Sequence, residues 1–330
     1  MGAGVSRQTQ AAAFPPDRFY CLLDEMPLHL IPKATRRLLS KVDDPQRSLY
    51  LNPQCTLTPS EQVPEEIADQ SELLSGFALQ GTMGWVRDGE TGWLLPFWLG
   101  PRLEELVGSL TPHDPVPLSW PADARRVLAA AGVLVPEIHA FHEVSNDPCR
   151  RAAAHFKERL YAPIGGLIHP FHIAALRRYY RHLIRSGSVQ LGDRQTSRRY
   201  AAYNEPVARF FHHQIAAKIS AITGESLRPS YVYFASYLSG AELEKHIDRE
   251  QCEYSVTFCL DFSPEPALAT PWPIELDTPR GKVTVYQALG DGLVYRGTRV
   301  PHYRKPLGDG QTSTSIFFHY VAADFDGPVG

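Results

Sequence analysis

At Gly224 the hydrophobic period of this chain changes from 3.6 to 2, and the change divides its second half into helices followed by strands. Ahead of it, Val207, Phe211, Ile215, Ile219 and Ile222 recur at helical spacing, with Asn204 as the expected cap and Gly224 at the stop. Ile173, Leu176, Tyr180 and Leu183 mark an earlier helix that Gly187 ends. Beyond Gly224 the apolar runs are short and alternating. Tyr231–Phe234 opens the series, and Ser255–Phe262 puts Val256, Phe258, Leu260 and Phe262 on one face. Further strands are expected at Ile274–Leu276, Lys282–Ala288, Leu293–Tyr295, Val300–Tyr303 and Thr312–Val321, with Gly, Pro and Asp between them. Many short strands with regular turns predict an α+β fold: a β-sandwich or barrel braced on one sheet by two helices.

The first half is less regular. Residues 1–17 read as a loose tail, and Met1-Gly2-Ala3-Gly4-Val5-Ser6 matches the short myristoylation pattern, with a disordered small-residue tail the better reading. Residues 18–150 form a mixed N-terminal domain, rich in proline and tryptophan and without repeats; residues 151–330 form the strand-rich domain with its preceding helices. One helix is expected over residues 121–131, with Pro121 at its start and Gly132 at its stop, and Val133–Val135 as a short strand after it.

A formal charge of −3 over 330 residues offers no electrostatic footprint for nucleic acid. No apolar run reaches 18 residues, so no membrane span is expected. Five scattered cysteines without a CxxC pair suggest neither a disulfide framework nor a zinc knuckle, and a reducing, cytoplasmic setting fits them.

The residues that carry chemistry are His246-Ile247-Asp248 and His302. In a strand, residues two apart share a face, which would set His246 and Asp248 about 7 Å apart, close enough to chelate one ion. His302 follows 54 residues after Asp248, which leaves room for about four intervening strands. Two imidazoles and one carboxylate are the ligand set of a non-haem Fe(II) oxygenase, which keeps coordination positions open.

Residues 225–321 resemble the double-stranded β-helix (jelly-roll, cupin-like) core of the 2-oxoglutarate/Fe(II) dioxygenases, near their prolyl-4-hydroxylase-like branch. The resemblance rests on Tyr237-Leu238-Ser239-Gly240 running through to His246-Ile247-Asp248, the strand 254–262, Gly290-Asp291-Gly292-Leu293-Val294-Tyr295, and Pro301-His302. Helices over residues 170–222 fit the family's usual preamble, and about half the chain is covered. The resemblance implies iron held by His246, Asp248 and His302, with 2-oxoglutarate and O₂ as co-substrates and ascorbate as reductant. It implies release of succinate and CO₂ with hydroxylation of an unactivated C–H in a peptide, amino acid or natural product. Asp248 favours hydroxylation over halogenation, since related halogenases lack this carboxylate.

The distal carboxylate of 2-oxoglutarate needs a buried cation, best met by an arginine fork. Relatives usually place it on the last strand two residues after a glycine; here that position, after Gly310, is Thr312, so the chain departs from the pattern. The expected substitute is Arg304, two residues after His302, with Lys282, Arg299 and Lys305 behind it. Thr314 stands for the hydroxyl that often follows the basic residue, and Tyr237 for the tyrosine that often bonds the same carboxylate. If Arg304 is only a solvated turn residue, the alternative is a non-catalytic cupin-like protein that binds a metal or ligand.

Other histidines receive plainer readings. His139 with His142, and His169 with His172, are expected on the surface or at caps; His212 and His213 point apart; His319 packs in the core opposite Thr312 and Thr314 by strand parity. Tyr231 and Tyr233 share parity with Tyr237. Arg249, Gln251 and Glu253 line the substrate mouth or an exposed loop. The N-terminal region is left to peptide docking, a homodimer interface, or a lid.

Overall fold

The computed structural model describes residues 14–36, 48–88, 92–110, 114–136, 147–193 and 195–329. The architecture is mixed α/β with several antiparallel sheets. In the first half the strands are β1 (Tyr50–Leu51), β2 (Cys55–Pro59), β3 (Thr82–Arg87), β4 (Leu94–Trp98) and β5 (Leu134–Val135). β2, β3 and β4 make a three-stranded sheet, and β1 pairs with β5. Two helices accompany them, α1 (Pro101–Gly108) and α2 (Ala122–Ala130). The helix expected over 121–131 is α2, with Pro121 before it and Gly132 at φ 77° just beyond. The myristoylation pattern and the His139–His142 pair lie outside the described residues.

In the second half come α3 (Asp147–Arg159), β6 (Tyr161–Ile164), α4 (Pro170–Arg185), β7 (Gln190–Leu191), β8 (Arg199–Tyr203) and α5 (Pro206–Thr223). Then the strands run on: β9 (Leu227–Tyr237), β10 (Leu243–His246), β11 (Tyr254–Ser263), β12 (Ile274–Thr278), β13 (Gly281–Val285), β14 (Gly292–Arg296), β15 (His302–Arg304) and β16 (Thr312–Ala322). α4 and α5 each start on a proline, whose missing N–H has no partner to lose there. The expected cap of α5 is corrected: Glu205, not Asn204, accepts from the Val207 and Ala208 N–H groups, and Asn204 instead accepts from Val232 N–H at 3.1 Å. Gly224 closes α5 in the left-handed region, its N–H donating to Ser220 O.

Seven strands form one sheet in the order β6-β14-β11-β16-β9-β8-β7, and four form a second in the order β10-β15-β12-β13. β11, third in the order of the large sheet, is buried on both faces from Tyr254 to Phe262. On one face Val256, Phe258, Ile316 and Phe318 pack with Phe211, Ile215 and Ile219 of α5. The same buried cluster takes in Phe19, Trp85, Trp98 and Leu128, so side chains from both sides of residue 150 share one core. On the other face two clusters fill the space toward the small sheet. Leu293 and Tyr295 pack with Ile274, Leu276 and Val300, and Tyr231, Tyr233 and Tyr237 pack with Trp272 and Leu289.

The strict alternation expected of Ser255–Phe262 breaks at its end. A register shift between Cys259 and Asp261 leaves one extra residue in β11 against β16. Phe262 therefore joins Cys259 in the cluster facing the small sheet, while Val256, Phe258 and Leu260 stay on the helix side.

Candidate metal centre

His246 closes β10 and His302 opens β15, and the two are direct cross-strand partners. Their ring centroids lie 4.3 Å apart. Each ring meets a backbone carbonyl two residues back through Nδ1: His246 with Glu244 O at 2.7 Å, His302 with Val300 O at 3.0 Å. A carbonyl only accepts, so each ring carries its proton on Nδ1 and presents a lone pair at Nε2, the arrangement a metal ligand needs.

Asp248 reaches these nitrogens by a different route from the one the strand pattern suggests. β10 ends at His246, and Asp248 lies beyond it, its N–H donating to Gly297 O at 2.9 Å. Its Oδ1 is 3.7 Å from His246 Nε2 and 3.6 Å from His302 Nε2. Ligands on adjacent corners of an octahedron with bonds of roughly 2.1 Å stand about 3 Å apart, so Asp248 Oδ1 would close by about 0.7 Å on each histidine to share one ion with them. Burial holds the His302 imidazole below its ordinary pKa, against the upward pull of Asp248, which favours the neutral ligand form.

Arg304 follows two residues after His302, and both are buried. Its Nη1 donates to Trp272 O, its Nη2 donates to Gln287 Oε1 at 3.3 Å, and the guanidinium lies 4.7 Å from the Trp272 ring centroid. Burial lowers its pKa from the ordinary value, with only Cys259, Tyr237 and Tyr295 pulling the other way. Among the described residues no carboxylate pairs with it. Lys282, Arg299 and Lys305, the expected substitutes, are all exposed.

The triad and Arg304 line one cavity of about 570 Å³, with Tyr237 and Tyr295 beside them. The Tyr237 hydroxyl accepts from Arg199 Nη1 at 3.3 Å, and its ring packs edge-on against Trp272. Thr314 does not line this cavity: its hydroxyl donates to Ser236 Oγ at 2.9 Å. The alternation of β16 explains this, since Phe317 and His319 line the cavity while Thr314 shares parity with Ile316 and Phe318 on the helix side. A larger cavity of about 1100 Å³ lies against α3 and the Gly165–Gly166 loop, away from the triad.

Three groups that the sequence reading did not place at the site complete the centre. Ser255 Oγ donates to Asp248 Oδ2 at 2.7 Å and meets His319 Nδ1 at 2.9 Å. Gly297 lies so close that a Cβ there would stand 2.4 Å from Asp248 Oδ2 and 2.7 Å from Ser255 Oγ. The Tyr295 hydroxyl sits between Thr257 Oγ1 at 3.4 Å and His302 Nε2 at 3.5 Å. Each is brought in from another strand or turn.

His169, His172 and His212 have structural roles. His169 caps α4 by accepting from Phe171 N–H, and His172 bonds Pro96 O at 2.8 Å; both are more buried than a surface reading allows. His212 bonds His319 O at 2.7 Å, its ring turned 78° from that of His213. Of the polar residues after Asp248, Arg249 lines the cavity and Glu253 pairs with Arg296.

No family model and no curated protein matches the chain. The chain is similar to 2-oxoglutarate/Fe(II) oxygenases of known structure. A prolyl-4-hydroxylase of Pseudomonas putida aligns at 15% identity over 53% of this chain and 98% of that one, with a TM-score of 0.44. HygX from Streptomyces hygroscopicus, crystallised with nickel, 2-oxoglutarate and hygromycin B, aligns at 13% identity over 53% of this chain and 88% of that one, with a TM-score of 0.42. AviO1 from Streptomyces viridochromogenes aligns at 18% identity over 54% of this chain and 97% of that one, with a TM-score of 0.45. No helix among the described residues is long and apolar enough to cross a membrane.

Proposed function

We propose that this protein is an Fe(II)- and 2-oxoglutarate-dependent oxygenase on a double-stranded β-helix, hydroxylating an unactivated C–H of a peptide, amino acid or natural product. The observation that carries the reading is Arg304. A buried guanidinium with no acid partner among the described residues is costly, and it is best accounted for by an anion that enters the cavity with the ligand. Two residues away stands a triad of two imidazoles and one carboxylate, a donor set that suits a divalent iron with positions left open.

In this reading His246, Asp248 and His302 hold the iron, and Arg304 takes the distal carboxylate of 2-oxoglutarate. When bound, iron, 2-oxoglutarate and O₂ supply the oxidation, with succinate and CO₂ released as an oxygen atom is delivered to substrate carbon. The chain's own work is to position and to exclude water. The Nδ1 hydrogen bonds of both histidines fix which nitrogen faces the metal. Tyr231, Tyr233 and Phe317 wall the cavity with aromatic surface, and the exposed Tyr203 and Ile247 stand where a substrate would enter.

The test is an anaerobic titration of the Fe(II) form with 2-oxoglutarate, followed by aerobic turnover with ascorbate. A metal-to-ligand charge-transfer band, succinate formation abolished in His246→Ala, and a product heavier by one oxygen are the expected results. Metal binding without the band, and 2-oxoglutarate left intact, would sink the proposal in favour of a non-catalytic cupin-like binding protein.

A further inference from the structure

Asp248 has two oxygens, and only Oδ1 faces the histidines. The other is held from behind. Ser255 Oγ has three polar neighbours: Asp248 Oδ2 at 2.7 Å, His319 Nδ1 at 2.9 Å and Cys252 O at 3.3 Å. A hydroxyl has one hydrogen, and the carboxylate and the carbonyl can only accept. The nearer, charged acceptor takes it, so Ser255 donates to Asp248. The Ser255 oxygen then presents a lone pair to His319, whose Nδ1 must donate. The proton count thus fixes His319 in one tautomer at Nδ1.

Packing holds this chain of bonds in place. Ser255 is fully buried on β11 and His319 is buried on β16, where the two residues are cross-strand partners. The Tyr231 ring lies 4.6 Å from that of His319, and the Tyr231 hydroxyl meets Cys252 Sγ at 3.0 Å. Gly297 closes the other side of Asp248 Oδ2. Asp248, Cys252 and His319 also satisfy the spacing of a second metal cluster. The His319 Nδ1–H and the Cys252 thiol are already committed to hydroxyl partners, so the group reads as a brace and not as a second ion site.

We propose that Ser255 and His319 are positioning residues that hold Asp248 Oδ2 out of the coordination sphere and make Asp248 a one-oxygen ligand through Oδ1. The proposal rests on the reading of His246, Asp248 and His302 as metal ligands. An unbraced carboxylate can rotate to offer either oxygen or both; one locked by a buried hydroxyl cannot.

The experiment uses the full chain stripped of metal and titrated with Co(II), read by its d–d absorption, with apo-protein folding followed by circular dichroism. Ser255→Ala and His319→Leu should each weaken Co(II) binding by about 10- to 100-fold and shift the d–d bands, while the apo protein stays folded. His319→Asn keeps an N–H near the position of Nδ1 and should bind Co(II) within about threefold of wild type. Wild-type affinity and spectrum in both Ser255→Ala and His319→Leu would overturn the positioning role while leaving the metal site standing. A wild-type chain that does not bind Co(II) overturns the metal reading and this inference with it.

Discussion

Arg304 and His302 share one face of the three-residue strand β15, so a buried cation stands beside a candidate metal ligand with no acid of its own among the described residues. If its task is to hold a carboxylate that arrives with the metal's second ligand, replacing it should separate two affinities. Arg304→Met should weaken 2-oxoglutarate binding to the metal form by about 100-fold, roughly 2.7 kcal/mol, and leave metal affinity within about threefold. Arg304→Lys should fall between, because a single ammonium cannot reproduce the fork. Calorimetric titration of metal and then 2-oxoglutarate into each variant measures both.

Gly297 is needed for closeness, not for an unusual backbone angle. A Cβ there would meet Cys252 O at 2.3 Å, Asp248 Oδ2 at 2.4 Å and Ser255 Oγ at 2.7 Å, and the first of these is backbone. Gly297→Ala should cost about 1–3 kcal/mol by overpacking and lower metal affinity at least about tenfold by displacing Asp248. Gly165→Ala, where a Cβ would meet nothing, is the control and should change neither. Urea unfolding and Co(II) titration read the two effects separately.

Much of this was legible in the residue pattern, and the failures have a common cause. Val207, Phe211, Ile215, Ile219 and Ile222 are all buried because a helical period reports which side of a helix meets the core. Arg304 was reachable by parity from His302, since a short strand preserves the alternation. Parity failed where the backbone leaves the regular ladder. The irregularity near Leu260 moved Phe262 to the other face, and β10 ended before Asp248. Asn204 resembles a helix cap, but its side chain is taken by Val232 from the paired strand β9, and Glu205 caps α5 instead. Ser255 and Gly297 carried no signal, because a serine in an apolar strand and a glycine in a turn acquire a role only when Asp248 is folded against them.

Glu205 makes a stability prediction independent of the metal. Its two oxygens accept from Val207 N–H, Ala208 N–H and the hydroxyls of Tyr179 and Tyr180, at 2.6 to 3.1 Å. Glu205→Ala removes a cap and leaves two tyrosine hydroxyls without an acceptor, which should cost about 3–5 kcal/mol. Glu205→Gln keeps one acceptor oxygen and should cost about 1–2 kcal/mol. Equal midpoints for Glu205→Ala and wild type in urea unfolding would show that Glu205 does not anchor α5.

His172 should make stability depend on pH. It is fully buried, with the rings of Phe97 at 4.6 Å, Phe211 at 5.7 Å, His169 at 5.9 Å and Phe19 at 6.4 Å. Burial, helped by His169 and opposed by the Pro96 carbonyl, holds its pKa down to about 3. In the unfolded chain a histidine titrates at about 6.5. Above that pH both states are neutral and the residue adds no slope. Below it the unfolded state gains a proton that the folded state refuses, so stability falls as pH drops, by about 1.4 kcal/mol per pH unit until the folded pKa is reached. His169 and His319, each lowered to about 4, add slopes of the same sign. His172→Gln keeps an N–H for Pro96 O and cannot titrate. Its urea stability measured at pH 7, 6 and 5 should fall less steeply than wild type by about 1.4 kcal/mol per unit below pH 6.5. Parallel slopes would mean that His172 gains its proton without unfolding, and that the aromatic packing around it yields.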